Sequence, residues 1–190
     1  MGLFSKKPPI QDFIVEFGSE YASTLLSIGT RMQQGEFQIG TIGLNVPNQL
    51  ISNIDESISS HQSVGDVLYS DEKQFLEVVG ESFHSEEIQE LVDAIGAESW
   101  TSGTLMPEPY NEFDQNAVAV LLFYGSSKVE YKFVKVGYLA KDQAKKVHKN
   151  ILKQLNMGAV IPVLAMVKGG TQDQPNHGIL ARAMTKKVKF

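Results

Sequence analysis

Short apolar runs separated by turn sequences fill the chain from residue 75 onwards, which is the pattern of a domain built mainly from short strands. Most of the runs are rich in β-branched and aromatic residues and have the length of ordinary strands. The strand-like runs are FLEVVGESF (75–83), TSGTLMPEP (101–109), NAVAVLLFY (116–124), VEYKFVKVGYLA (129–140), AVIPVLAMVKGG (159–170) and HGILARAMTKKV (177–188). Five or six short strands with two helices between them predict an α+β fold, either as a small, partly open β-barrel or as an α+β sheet.

Two further stretches carry the helical period of apolar residues. SEEIQELVDAIG (85–96) has Ser85 as its predicted N-cap and Gly96 as its stop. KDQAKKVHKNILKQLNMG (141–158) is the second helix. The residues predicted to face the core are Ile88, Leu91, Val92, Ile95, Ala144, Val147, Ile151 and Leu155. Gly80, inside the first strand-like run, predicts a bulge or a close backbone approach.

Residues 1–70 form a separate predicted segment of α+β character whose role the sequence does not indicate. IQDFIVEF (10–17) and EFQIGTIGL (36–44) predict strands, and NVPNQLISNIDESISSH (45–61) predicts a helix. The polar stretch SDEKQ (70–74) is the predicted boundary. The chain therefore divides into residues 1–70 and a second domain that begins at residue 75.

Composition excludes several classes of protein. The chain has no cysteine, which removes disulfides, thiolate zinc sites and cysteine nucleophiles. Its mean hydropathy is −0.13 and it has no apolar run long enough for a transmembrane helix. The first residues, MGLFSKKPPI, lack the apolar region of a secretory signal. These features predict a cytoplasmic protein without a membrane partner.

Charge is distributed unevenly along the chain. Residues 71–130 hold 13 acidic and 2 basic side chains, whereas residues 131–190 hold 12 basic and 2 acidic ones. This asymmetry indicates either a basic face suited to a polyanion or two segments that neutralise each other. The second helix has lysines at positions 141, 145, 149 and 153, and like charges four residues apart repel. The stripe is either a solvated face or a wall that faces phosphates.

Motifs for catalysis are scarce. The four histidines lack metal-ligand spacing, and the sequence contains no nucleophile elbow, P-loop or dinucleotide-binding fingerprint. The acidic residues Glu81, Glu108, Glu112 and Asp114 could hold Mg²⁺ for phosphodiester cleavage. Their spacing does not distinguish them from solvated carboxylates. We therefore expect a protein that is not an enzyme and has no cofactor, with a metal-dependent nuclease as the weaker alternative.

The stretch PEPYNEFDQNAVAV (107–120) places two aromatic rings, Tyr110 and Phe113, beside the carboxylate of Asp114 just before an apolar strand. One interpretation is a structural turn, in which Asp114 binds its own backbone and Phe113 lies in the core. The other is a ligand pocket at the start of a strand. The residues alone leave both open.

Three pieces in order, VVGESF (78–83), PEPYNEFDQNAVAV (107–120) and VGYLAKDQA (136–144), resemble a HIRAN domain. The resemblance covers residues 75–187 and is nearest to the small stand-alone bacterial members. It implies an OB-like barrel that binds single-stranded DNA or its 3′ end together with repair or replication proteins. The residues it assigns to nucleic-acid binding are Phe83, Phe113, Asp114, Asn116, Tyr138, Lys141 and Lys145.

The resemblance also implies a role for each residue. Phe83 and Phe113 would stack on terminal bases, and Asp114 would accept the proton of the 3′-hydroxyl. Lys141 and Lys145 would face phosphates, and Asn116 would shape the pocket. Tyr138 stands where DNA-binding members have histidine, Ser82 where they have arginine, and His84 where they have a second aromatic residue. These departures keep open a protein-interaction adaptor that has the fold without DNA binding.

Overall fold

The computed structural model describes Val15–Glu16 and residues 75–190, apart from residues 110, 127–128, 158, 171–175 and 185–187. Of the predicted N-terminal strand at 10–17, only Val15–Glu16 is described. The strand predicted at 36–44, the helix at 45–61 and the boundary at 70–74 lie outside the described residues. Tyr110 lies outside them as well.

The described residues contain nine strands and two helices. The strands are β1 (Val15–Glu16), β2 (Phe75–Leu76), β3 (Val78–Val79), β4 (Trp100–Pro107), β5 (Val118–Ser126), β6 (Val129–Leu139), β7 (Ala159–Val160), β8 (Pro162–Lys168) and β9 (Gly178–Ala183). The helices are α1 (Ser85–Ile95) and α2 (Lys141–Asn156), and a 3-10 turn, Glu81–His84, joins β3 to α1.

Seven of these strands form one antiparallel sheet in the order β2-β9-β8-β4-β5-β6-β3. Only Glu77 separates β2 from β3, yet these two strands form opposite edges of the sheet. One short segment therefore joins both edges, and the sheet curls into a nearly closed barrel. The architecture is an OB-like α+β fold, which confirms the predicted fold class. The short strands β1 and β7 pair separately.

Hydrogen bonds from the start of α2 hold the closing segment in place. The side chain of Gln143 accepts from the Glu77 amide at 2.9 Å and donates to the Phe75 carbonyl at 2.9 Å. The Ala140 amide donates to the Glu77 carbonyl at 2.8 Å. Because Glu77 lies between the two edge strands, its backbone is the point where the barrel closes, and α2 supplies the partners it needs there.

The predicted inward faces of both helices are confirmed. Ile88 and Leu91 of α1 are buried, and Val92 and Ile95 pack against the same core. The inward residues of α2, Ala144, Val147, Ile151 and Leu155, are buried as well. Within the described part of the chain, no helix is both long and apolar enough to cross a membrane.

The first predicted strand is too long. It continues only to Val79, because Gly80 takes a left-handed conformation (φ 84°) and begins the Glu81–His84 turn. The amide of Phe83 donates to the Gly80 carbonyl at 3.0 Å. Ser85 is the first residue of α1 and not its N-cap, a position that His84 occupies without a side-chain hydrogen bond. Gly96 ends α1 as predicted, with its amide bonded to the Val92 carbonyl at 2.8 Å.

A close approach between β4 and β5 requires glycine at position 103. A Cβ atom there would lie 2.2 Å from the Leu121 carbonyl oxygen and 2.7 Å from the Leu122 side chain. The oxygen belongs to the backbone of a central strand, so it cannot move aside without disturbing the ladder. Gly178, at the start of β9, has no atom within 4 Å of such a Cβ.

We expect Gly103→Ala to lower the free energy of unfolding by about 1–3 kcal/mol or more, because an overpacked core forces the backbone to shift. Gly178→Ala is the matched control, and we expect it to be neutral or stabilising by about 0.4–1 kcal/mol. Urea unfolding curves of both variants measure the difference. Equal effects of the two substitutions would show that β4 and β5 are not in contact at Gly103.

Candidate functional site

The strand register brings several predicted site residues to one end of the barrel. Pro107, the last residue of β4, pairs with Val118, the first residue of β5. Tyr138 near the end of β6 pairs with Ala119 on one side and with Val79, the last residue of β3, on the other. The ends of four neighbouring strands therefore meet at this end, which we call the rim.

Three segments project from the rim. The Glu81–His84 turn follows β3, the 108–117 loop connects β4 to β5, and α2 starts directly after β6. The turn carries Phe83, the loop carries Phe113, Asp114 and Asn116, and α2 begins with Lys141. Lys145 lies one helical turn, about 6 Å, further along α2.

The two predicted aromatic platforms are almost fully exposed. Phe83 has 87% and Phe113 has 94% of its surface accessible to solvent. Val79, also at the rim, is 42% exposed. Apolar rings of this size are usually buried, since burial of a phenylalanine side chain contributes about 1.5–3 kcal/mol. The interpretation that places Phe113 in the core is therefore wrong.

Two side chains fold the loop onto its own backbone. Asn111 Oδ1 accepts hydrogen bonds from the amides of Phe113 at 2.9 Å and Asp114 at 3.1 Å. Asp114 Oδ1 accepts from the Asn116 amide at 2.8 Å and from its side-chain amide at 3.4 Å. These are turns of the kind that asparagine and aspartate stabilise without other partners. The ring of Phe113 thus projects from an ordered backbone.

The positions of Asp114 and Asn116 agree with the turn that was the structural alternative. Asn116 directs its amide group toward Asp114, and both residues are half-buried. Within the described residues, both hydrogen bonds to the Asp114 carboxylate end on Oδ1. The predicted contact with a 3′-hydroxyl therefore depends on Oδ2.

Beneath the loop lies a polar group that the sequence did not reveal. Glu108 is 2% exposed, and its Oε1 lies 3.0 Å from Lys135 Nζ. The Tyr138 hydroxyl accepts from Lys135 Nζ at 2.9 Å and donates to Glu108 Oε2 at 3.1 Å. We call these three residues the Glu108 cluster. Asn111 Nδ2 also donates to Glu108 Oε2, at 2.9 Å.

A β-bulge brings Lys135 and Tyr138 together. Val120 pairs with Gly137 but the next residue, Leu121, pairs with Lys135, so Val136 is skipped. In a regular strand, residues three apart point to opposite faces. The extra residue cancels this alternation and places both side chains on one side, as their hydrogen bond shows. Sequence alternation alone could not have indicated this pair.

The pKa values of residues in and beside the cluster are shifted. Burial on its own would lower the pKa of Lys135, but the Tyr138 hydroxyl and the Glu108 carboxylate outweigh it and raise that pKa. Burial raises the pKa of Tyr138. His84 lies beside the cluster, with its ring centroid 6.2 Å from that of Tyr138. Burial lowers the pKa of His84, although Glu87 opposes this shift.

The two predicted phosphate-facing lysines are exposed on α2. Lys141 and Lys145 lie on the solvent side of the helix, opposite the buried Val147 and His148. His148 Nδ1 lies 3.3 Å from the Ala117 carbonyl oxygen, so α2 packs directly beside the end of the loop. Among the described residues, no three acidic or histidine side chains lie together as a metal site would require.

Comparisons with known proteins leave the HIRAN resemblance a prediction. No family model and no curated protein matches the chain. A crystal structure of a protein from Lactobacillus plantarum is similar, with 19% identity over 58% of this chain and 87% of the other and a TM-score of 0.36. At this level the similarity indicates nothing about activity.

We expect stability to depend on the cluster at alkaline pH. The pKa values of Tyr138 and Lys135 are raised above 10.0 and 10.5, so both groups release protons later in the folded chain than in the unfolded chain. Their stabilising contribution is therefore complete below pH 10 or so and is lost as the pH rises through the folded-state values. Tyr138→Phe should make the fall in Tm above about pH 10 less steep. Thermal melts between about pH 8 and pH 11 measure this, and parallel profiles would contradict it.

Proposed function

We propose that the rim binds single-stranded DNA, preferentially at its 3′ end, and that the protein acts without catalysis beside repair or replication proteins in the cytoplasm. The observation that carries this proposal is the exposure of two phenylalanine rings, Phe83 and Phe113, on neighbouring segments of one rim. Each ring can stack on a base, and stacking contributes about 1–3 kcal/mol per base whatever its identity.

Cations at the start of α2, the helix that begins at the rim, support the same proposal. Lys141 and Lys145 are exposed at the start of α2, where they can neutralise phosphates. Among the described residues the arginine is Arg182, which is fully buried in β9 and cannot contact a ligand at the surface; Arg31 lies outside them. Specific readout of guanine commonly uses exposed arginine. Binding through rings and lysines would therefore depend little on base sequence.

The fold is compatible with this ligand. OB-like barrels bind single strands in other proteins through aromatic side chains on the barrel surface. The resemblance to HIRAN domains points to the same residues, and the described members of the predicted set lie on the rim or on the first two turns of α2. Fold alone does not imply function, so the exposed rings remain the main support.

One feature favours the protein-interaction adaptor as a second candidate. Glu81, Glu112 and Asp114 lie in the same turn and loop as the two rings. Carboxylates at close range repel phosphates, whereas they attract basic side chains. A basic peptide with apolar side chains would match this combination. Binding of such a peptide, with no binding of any oligonucleotide, would favour the adaptor.

We expect Phe83→Ala and Phe113→Ala each to weaken binding of a single-stranded oligonucleotide by about 1–3 kcal/mol, because each removes one stacking platform. Fluorescence anisotropy with a labelled oligonucleotide measures the affinity. Both variants should keep their folding free energy within about 0.5 kcal/mol, since the exposed rings contribute little to the core.

Trp100→Ala is the control for these variants. Trp100 is 41% exposed but begins β4 at the end opposite the rim, so its loss should leave binding unchanged. Unchanged affinity in both phenylalanine variants would refute stacking at the rim. Cleavage of the oligonucleotide on addition of Mg²⁺ would instead support the nuclease alternative.

The preference for a 3′ end is tested separately. An ionised Asp114 can only accept hydrogen bonds, so it favours a 3′-hydroxyl and repels a 3′-phosphate. We expect wild type to bind the hydroxyl form more tightly, and Asp114→Asn to reduce the difference while its Oδ1 still accepts from Asn116. Equal affinity of wild type for the two oligonucleotides would exclude end recognition through Asp114.

A further inference from the structure

The two exposed rings belong to different segments, so the position of one relative to the other depends on contacts between those segments. Phe83 lies in the Glu81–His84 turn and Phe113 in the 108–117 loop. A mobile loop would have to be ordered by the ligand, at a cost in affinity for each group that becomes immobile. The contacts that connect the two segments therefore determine how much of this ordering is complete before a ligand binds.

Asn111 makes the connection on the side of Phe113. Its Oδ1 accepts from the Phe113 and Asp114 amides at 2.9 and 3.1 Å, and its Nδ2 donates to Glu108 Oε2 at 2.9 Å. One side chain thus joins the backbone that carries the ring to a buried carboxylate. Hydrogen bonds to charged groups are stronger than those between neutral groups.

The Glu108 cluster makes the connection on the side of Phe83. Glu108 is held by Lys135 at 3.0 Å and by the Tyr138 hydroxyl at 3.1 Å. The ring of Tyr138 contacts that of His84, which follows Phe83 in the chain. Tyr138 also pairs with Val79, which precedes the turn by two residues. Hydrogen bonds, a ring contact and strand pairing therefore connect the segment that carries Phe113 to the segment that carries Phe83.

We propose that Asn111 is a positioning residue, which holds Phe113 at a fixed place relative to Phe83 by linking the loop backbone to the Glu108 cluster. This inference rests on the proposed function only for its effect on binding. The ordering of the loop itself is a property of the protein without ligand.

Asn111→Asp separates the two roles of this side chain. Aspartate still offers an Oδ1 acceptor to the amides of Phe113 and Asp114, so the local turn survives. Its second oxygen, however, faces Glu108 Oε2 and cannot donate, so the link to the cluster becomes a repulsion. Gln115→Glu is the matched control, because Gln115 is exposed in the same loop and the substitution adds the same charge without contacting Glu108.

Hydrogen exchange of the unliganded protein tests the ordering. In Asn111→Asp we expect the amides of Phe113 and Asp114 to exchange about tenfold faster, the factor that corresponds to loss of one hydrogen bond to a charged group. Amides of α2 should keep their rates, which shows that the barrel is still folded. Gln115→Glu should leave all of these rates unchanged. Equal loop rates in the two variants would overturn the role of Asn111.

A double-mutant cycle tests whether Asn111 acts through Glu108. Tyr138→Phe keeps the ring that faces His84 but removes the hydroxyl that donates to Glu108. If both residues act through this carboxylate, their effects on loop exchange should not be additive, whereas Gln115→Glu and Tyr138→Phe should add. Additive effects of Asn111→Asp and Tyr138→Phe would overturn the proposed path.

Oligonucleotide binding by the same variants completes the test. We expect Asn111→Asp to weaken binding about two- to tenfold more than Gln115→Glu, because the ligand must then order the loop. Equal affinities of these two variants would overturn the effect on binding. If wild type binds no oligonucleotide, the proposed function fails, while the exchange rates still decide whether Asn111 orders the loop.

Discussion

A single five-residue segment closes the barrel and determines which residues lie at the rim. Residues 75–79 pair with β9 through their first two positions and with β6 through their last two. Without this segment both β9 and β6 would expose unpaired edges, which invite association with other chains. The segment ends at Val79, which pairs with Tyr138 at the rim. The residues that follow Val79 therefore start at the rim. Closure therefore determines where the Glu81–His84 turn lies, and with it Phe83.

The second constraint is the buried charge of the Glu108 cluster. Removing a carboxylate and an ammonium from water costs more than their attraction returns unless the remaining hydrogen-bonding positions are satisfied. Tyr138 and Asn111 fill those positions on Glu108 Oε2. An apolar cluster of the same volume could give equal stability. It could not, however, hold the polar backbone of the loop in one arrangement, and this is the physical reason to assign the cluster a role in positioning.

Much of the fold follows from the sequence because strands and helices bury their apolar residues with different periods. Runs of β-branched and aromatic residues identified the strands of the barrel, although residues 75–83 were predicted as one strand where the structure has two, β2 and β3. The periodic rule identified the inward faces of α1 and α2. It failed where a local event interrupts the period. Gly80 changes the direction of the chain and ends β3 early, and the skipped Val136 reverses the alternation in β6.

The sequence could not distinguish Glu108 from solvated acidic residues, because its burial depends on Lys135, which is 27 residues away. In an ideal strand Lys135 would also point to the face opposite Tyr138, so the pattern did not predict the cluster. Phe113 was noticed in the sequence beside Asp114, whereas Phe83 was found only through a resemblance, and the exposure of both rings is what the structure adds.

The charges at the rim bear on how the energy of the proposed single-strand binding would be divided. Two lysines, Lys141 and Lys145, lie at the start of α2, whereas Glu81, Glu112 and Asp114 accompany the rings. Each neutralised phosphate of a single strand contributes about −0.7 to the logarithmic dependence of affinity on salt, so two lysines give a shallow dependence. In the proposed complex, attraction to the backbone would therefore be a small part of the binding energy, and the larger part would come from stacking. Two rings can stack on adjacent bases without a further cost in ordering only when both are already fixed in position. With few cations among the described residues of the rim, the proposed binding would depend on the order of the loop more than binding in a basic groove does, and Asn111 is the side chain that links the loop to the buried cluster.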